Sequence, residues 1–147
     1  FKDYIHPLGR GNLKKIKIKK KTIHLIDESY NSNPLSLKFS IEKFDKIETR
    51  NAKYLLLGDM LELGKFSKKL HSDIANNINK TQIFKVYVYG KDIIYTFNKL
   101  RTQKKGKIFK SNSEILRFIN NEINNNDYLM VKGSNSTGLN EIIKKLN

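Results

Sequence analysis

The eight residues Asp27-Glu28-Ser29-Tyr30-Asn31-Ser32-Asn33-Pro34 hold two adjacent carboxylates, a phenol and two side-chain amides. Such a set forms hydrogen bonds in many directions, yet it contains neither glycine nor a cation. It suits a ribose hydroxyl or an adenine edge better than a phosphate, which calls for glycine-rich backbone and positive charge. The segment follows a short apolar run, Ile23 to Ile26, patterned like a buried strand, and it ends in Asn-Pro. Asn33 is a good helix N-cap, and Pro34 fits the first helical position, where its missing N–H has no partner to lose. The expected geometry is strand, polar loop, helix start. The competing reading is a turn that merely caps the helix, a task Asn33 alone could perform.

Two further apolar runs end in polar loops. Tyr54 to Leu57 leads into Gly58-Asp59-Met60-Leu61-Glu62-Leu63-Gly64, and Tyr128 to Val131 leads into Lys132-Gly133-Ser134-Asn135-Ser136. If these strands run parallel, the three loops gather at the carboxyl edge of one sheet, where ligands of open α/β folds bind. Asp59 and Glu62 either face a substrate there or brace their own loop. His71 falls one residue after Leu70 on a helical stripe of Phe66, Leu70, Ile74 and Ile78, so it borders a buried face. It has no second His or Cys at metal-ligand spacing, and a structural supporting role is expected.

The elements that must position these loops follow from periodicity. Ile16 and Ile18 alternate with lysines, and Ile23, Leu25 and Ile26 resume after Lys20-Lys21, which predicts an N-terminal β-hairpin. The segment from Pro34 to Phe44 fits either period, and its Asn-Pro start favours a helix. Further on, Val86 to Tyr89 reads as a strand, Ile93 to Leu100 as a helix, and Lys107 to Phe109 as a short strand. A helix capped near Ser113 carries Ile115, Leu116, Ile119 and Ile123, and a last helix carries Leu139, Ile142, Ile143 and Leu146. Asn124 to Asn126 reads as a helix end and turn. Strands alternating with helices predict a Rossmann-like α/β fold, a mainly parallel sheet with helices on both faces.

Composition narrows the classes. The chain has 147 residues, enough for one domain with a sizeable core, and no cysteine, which suits a cytoplasmic location and excludes a thiolate metal site. No apolar run is long enough to insert in a membrane. Phe1 is not an initiator Met, and the chain is expected to begin within a longer protein. The net charge of +15 invites a nucleic-acid reading, but all except four of the 29 basic side chains are lysine. Arginine, with its planar fork, is the usual reader of phosphates and bases. The lysines are scattered among Asn and Ile, so a solvated basic surface is expected rather than a specific nucleic-acid site.

Four motifs occur in one order: Gly9-Arg10-Gly11, the loop Asp27 to Pro34, Gly58 to Gly64 with His71 downstream, and Val131-Lys132-Gly133-Ser134. Together they resemble the C-terminal domain of the Mur ligase family over essentially the whole chain. The resemblance implies that residues 1–13 are a hinge segment from a central ATPase domain and residues 14–147 are the C-terminal domain. It implies ATP-dependent amide formation in peptidoglycan precursor synthesis. The wording Tyr30 to Pro34 favours the branch that adds D-alanyl-D-alanine to a UDP-N-acetylmuramoyl-tripeptide. ATP and Mg²⁺ are the implied cofactors, held mainly by the central domain, whose Gly-Lys-Thr/Ser phosphate loop does not occur in this sequence.

By the same resemblance, Arg10, Asp27, Glu28, Tyr30 and Asn31 contact ATP, with Glu28 standing where many relatives have Asp. Lys132, Gly133, Ser134 and Asn135 face the amine substrate, and Asp59, Glu62 and His71 support it. No catalytic group and no metal ligand is expected in this domain. A folylpolyglutamate synthase-like ligase would share the fold and change the acceptor. A basic nucleic-acid-binding α/β module is the reading from a different class.

Overall fold

Side chains of a strand alternate between two faces, and in this chain both faces are apolar, which requires a covering layer on each side. The computed structural model describes residues 13–29, 32–133, 138, 141, 142 and 145. Strands β1 (Leu13–Ile18) and β2 (Lys21–Glu28) form the expected hairpin, turning at Lys19, which takes a left-handed φ of 58°. Helix α1 (Pro34–Asp45), β3 (Lys53–Leu57), α2 (Ser67–Asn79), β4 (Lys85–Val88) and α3 (Ile94–Asn98) follow. Then come β5 (Lys105–Ile108), α4 (Asn112–Asn121) and β6 (Tyr128–Lys132).

The six strands form one sheet in the order β1-β2-β6-β3-β4-β5, with β1 antiparallel to β2 and every other pairing parallel. The fold is therefore the mainly parallel α/β sheet with an N-terminal hairpin that the sequence predicts. Residues Ile26, Leu55, Leu57, Val86, Val88 and Met130 pack under α1, α2 and α3. Their neighbours Leu25, Tyr54, Leu56, Tyr87, Leu129 and Val131 pack under α4 and Ile142 on the other face.

Several boundaries differ from the expected ones for local reasons. The cap of α4 is Ser111, whose Oγ accepts from Glu114 N–H, and not the neighbourhood of Ser113. Phe66 sits in a short 3₁₀ turn ahead of α2 and is 57% exposed, so the buried stripe of that helix is His71, Ile74, Ala75 and Ile78. Helix α1 begins as its sequence demands. Asn33 accepts from Ser36 N–H at 2.9 Å, while Ser36 Oγ accepts from Asn33 N–H at 3.1 Å, a reciprocal capping box. Of the expected last helix, Ile142 is buried, while Leu139, Ile143 and Leu146 lie outside the described residues. Strand β1 opens at Leu13, the last residue of the expected hinge segment.

Not all lysines belong to the solvated surface. Lys53 is buried and donates to the carbonyls of Asp45 at 2.6 Å and Ile47 at 2.9 Å, at the end of α1. Lys21 does the same for α4 through Ile119 and Asn120, at 2.7 and 2.8 Å. Lys104 binds the carbonyls of Thr81 and Ile83 just beyond α2. Carbonyls at a helix end have no partner within the helix, and an ammonium satisfies several at once. Burial pushes the ammonium pKa of Lys104 and of Lys21 down.

Candidate functional site

Parallel β2, β6, β3 and β4 all end at the same edge, so the loops that follow them gather there. At the end of β2 the two adjacent acids separate to opposite faces. Asp27 is buried, and its Oδ1 accepts from Ser29 N–H at 3.1 Å and Ser29 Oγ at 2.6 Å. It shapes the turn into the loop. Its other oxygen, Oδ2, is buried without a hydrogen bond among the described residues. Glu28 points to the α1 side, where Ser40 Oγ donates to its Oε1 at 2.9 Å and Lys132 Nζ lies 3.3 Å from the same oxygen.

Lys132 closes β6 and is buried, as is Gly133. The family resemblance implies different ligands for Glu28 and Lys132, and the structure joins the two in one ion pair. Gly58 N–H donates to Lys132 O at 2.8 Å, which stitches the end of β3 to the same point. Arg10, Tyr30, Asn31, Ser134 and Asn135 lie outside the described residues.

The loop after β3 is held by side chains that the sequence could name but not connect. His71 is fully buried. Its Nε2 accepts from Met60 N–H at 3.0 Å, so the ring proton sits on Nδ1, which donates to Ser67 O at 2.8 Å. Ser67 Oγ donates to Asp92 Oδ2 at 2.8 Å, and Thr96 Oγ1 donates to His71 O. Asp59 reaches across to the loop after β4, where its carboxylate accepts from Lys91, Asp92 and Ile93 N–H at 3.1, 3.0 and 2.8 Å. It thus braces a neighbouring loop. Gly90 permits this approach: with φ of +151°, an added Cβ would stand 2.4 Å from Asp59 Oδ1. Glu62 is exposed and takes a left-handed φ of 63°.

Serines 40 and 67, which tie the helices to this edge, were missed by sequence reasoning. Ser40 lies inside α1 and Ser67 opens α2, and the partners of both, Glu28 and Asp92, are distant in sequence, so only the fold reveals their roles. A second concavity, lined by Thr49, Arg50, Asn51, Lys53, Gln82 and Phe84, opens at the amino ends of β3 and β4, away from these loops.

An open, mainly parallel sheet covered by helices, with an antiparallel hairpin at one edge, defines an α/β domain of the Rossmann-like class. The model of the Mur ligase, glutamate ligase domain, matches residues 10–135. The chain belongs to this family of Mur ligase C-terminal domains. It is similar to the UDP-N-acetylmuramoyl-tripeptide–D-alanyl-D-alanine ligase of Bacillus subtilis, with 28% identity over 84% of this chain and 28% of that protein. With the ligase of the same name from Buchnera aphidicola (subspecies Baizongia pistaciae), identity is 32% over 95% of this chain and 30% of that protein. The fold matches the crystal structure of a MurF ligase from Thermotoga maritima in complex with ADP. That match has a TM-score of 0.79 and 20% identity, over 98% of this chain and 31% of that one. The chain therefore spans under a third of the length of the curated relatives it matches.

Proposed function

We propose that this chain is the C-terminal domain of an ATP-dependent ligase that joins D-alanyl-D-alanine to UDP-N-acetylmuramoyl-tripeptide. The observation that carries the reading is the meeting of Glu28 and Lys132 at the carboxyl ends of adjacent β2 and β6, in a chain whose relatives bear that ligase name. In this chemistry ATP phosphorylates the tripeptide carboxylate, the dipeptide amine attacks the acyl phosphate, and phosphate leaves. A closing domain excludes water from the acyl phosphate and aligns the amine with it.

The residues fit a nucleotide's sugar better than its phosphates. Glu28 uses Oε1 for internal bonds, which leaves Oε2 to accept from a ribose hydroxyl. Asp27 shapes that loop, and Arg10, Tyr30 and Asn31 complete the proposed nucleotide contacts. Lys132, Gly133, Ser134 and Asn135 form the loop on the amine side. Asp59 and His71 hold the framework, and Glu62 stays at its exposed rim. Among the described residues no group of three or more His, Cys, Asp or Glu side chains suits a metal ion. Mg²⁺, like the phosphates of ATP, is assigned in this reading mainly to the central ATPase domain. Residues 1–13 serve as the hinge to an ATPase domain, and the reaction is cytoplasmic.

The test is an assay of the full-length enzyme with UDP-N-acetylmuramoyl-tripeptide, D-alanyl-D-alanine and ATP. The expected products are the UDP-linked pentapeptide, ADP and phosphate, with none formed by the 147-residue chain alone. Acceptance of glutamate in place of the dipeptide would move the protein to the folylpolyglutamate synthase-like reading. ATP turnover by the isolated chain would overturn the division of labour between domains.

A further inference from the structure

Glu28 and Lys132 are the last residues of β2 and β6, and the parallel ladder sets them in register. Registered partners in parallel strands point to the same face, so the two charges must meet. Side-chain exposure is 4% for Lys132 and 20% for Glu28, with 3.3 Å between Nζ and Oε1. Removing either partner takes an opposite charge from a poorly solvated place, which costs more than the same loss in water. The contact is reinforced from α1 by Ser40, and the backbone carbonyl of Lys132 also anchors Gly58. One residue thus fastens the ends of β2 and β3 to the loop that it begins itself.

We infer that the Glu28–Lys132 pair is a coupling element that fixes the loop after β2 relative to the loop after β6. The inference rests on the reading above, in which the first loop serves ATP and the second the dipeptide. Lys132 is then a positioning residue that acts through Glu28 rather than a direct ligand of the dipeptide carboxylate. Glu28 can meet a ribose hydroxyl through Oε2 while Oε1 stays on Lys132. Turning the Lys132 ammonium to a dipeptide carboxylate would instead pull it from Glu28, against the cost of separating a buried ion pair. Held together, the pair transmits occupancy of either loop to the other. Such coupling is reciprocal: each ligand changes the equilibrium affinity for the other by the same factor, and a substitution that weakens the pair lowers that one factor.

The experiment uses the full-length ligase and the variants Glu28→Gln, Lys132→Met and the double substitution, with ATP and D-alanyl-D-alanine varied in turn. Each single variant is expected to raise both KM values together, on the order of three- to tenfold, and the double to be no worse than the worse single. Calorimetry with a non-hydrolysable ATP analogue, with and without saturating dipeptide, reads the coupling directly. The ratio of the two analogue Kd values should fall toward one in both variants and recover in Lys132→Arg, a result that a merely structural role would not produce.

Selective effects would overturn the inference: Glu28→Gln acting on ATP alone, Lys132→Met on dipeptide alone, and the double multiplying them. An unchanged Kd ratio in the variants would overturn it equally. If a variant fails to fold, Glu28→Asp and Lys132→Arg stretch or reshape the contact without removing charge, and the same two readouts apply. Absence of ATP-dependent ligation by the wild-type enzyme would instead reject the functional reading. In that case a urea-unfolding double-mutant cycle still reads the pair, and additive effects there would reject the coupling.

Discussion

Single residues at the carboxyl edge do jobs that their chemistry alone does not announce. Asp59 is an acid in a polar loop, yet its carboxylate is spent on three backbone N–H groups of the next loop. A carboxylate gathering several backbone donors makes strong, charge-assisted bonds, and it depends on close approach of the two chains. Gly90 supplies that closeness. In Gly90→Ala the new methyl would collide with Asp59 Oδ1 in a backbone conformation that L side chains rarely adopt. The expected loss is about 2–4 kcal/mol of folding stability, from strain plus weakened bonds. Urea unfolding of the variant checks it, and a stability within experimental error of wild type would show that the loop relaxes freely.

Among the elements, the helices are finished by lysines from distant strands and turns. Lys53, the first residue of β3, reaches back to the end of α1, and Lys21 at the start of β2 reaches the end of α4. Lys53→Met keeps the aliphatic stem but leaves the partly buried carbonyls of Asp45 and Ile47 without their ammonium partner, at a cost of about 1–3 kcal/mol. Hydrogen exchange should show the last turn of α1 opening more readily, while α2 stays protected. Equal loss of protection in both helices would refute a local capping role.

Such reach explains what was legible in the sequence. The strands, the cap of α1 and the position of the three polar loops follow from short-range patterns, period two and an Asn-Pro start. The lysine caps, the Glu28–Lys132 pair and the bracing by Asp59 join residues far apart in the chain, and no local pattern encodes them. The lysines show this most clearly. Read along the chain they look like composition, while in the fold Lys21, Lys53 and Lys104 are structural.

At the scale of the whole molecule, the face under α4 is built on aromatics. Tyr54, Tyr87, Phe109 and Phe118 pack ring against ring, and Tyr87 OH donates to Glu122 at 3.3 Å. Burial, and then the charge of Glu122, push the Tyr87 phenol well above its ordinary range, and burial raises Tyr54 as well. Unfolded phenols lose their proton near pH ~10. Above that pH the folded state holds protons that the unfolded state has released, so stability falls as pH rises. Below it, this contribution is intact. Unfolding monitored by phenolate absorbance should therefore show these two tyrosines titrating only as the fold is lost. Tyr87→Phe should flatten the alkaline decline, and ordinary titration of Tyr87 in the intact fold would contradict the packing described.

Among the described residues β6 is the last strand, and it lies at the centre of the sheet, between β2 and β3. As the chain is synthesised, β2 and β3 emerge early, each with an unpaired edge, and neither can complete its ladder until Tyr128–Lys132 is free to enter. Such pairings across long sequence separations are slow, and open strand edges invite association with other chains. The residue that ends this strand, Lys132, is also the one that meets Glu28. The carboxyl edge is therefore finished by the same event that closes the sheet, so a nascent chain stopped short of β6 carries the end of β2 without the strand that gives it a fixed place.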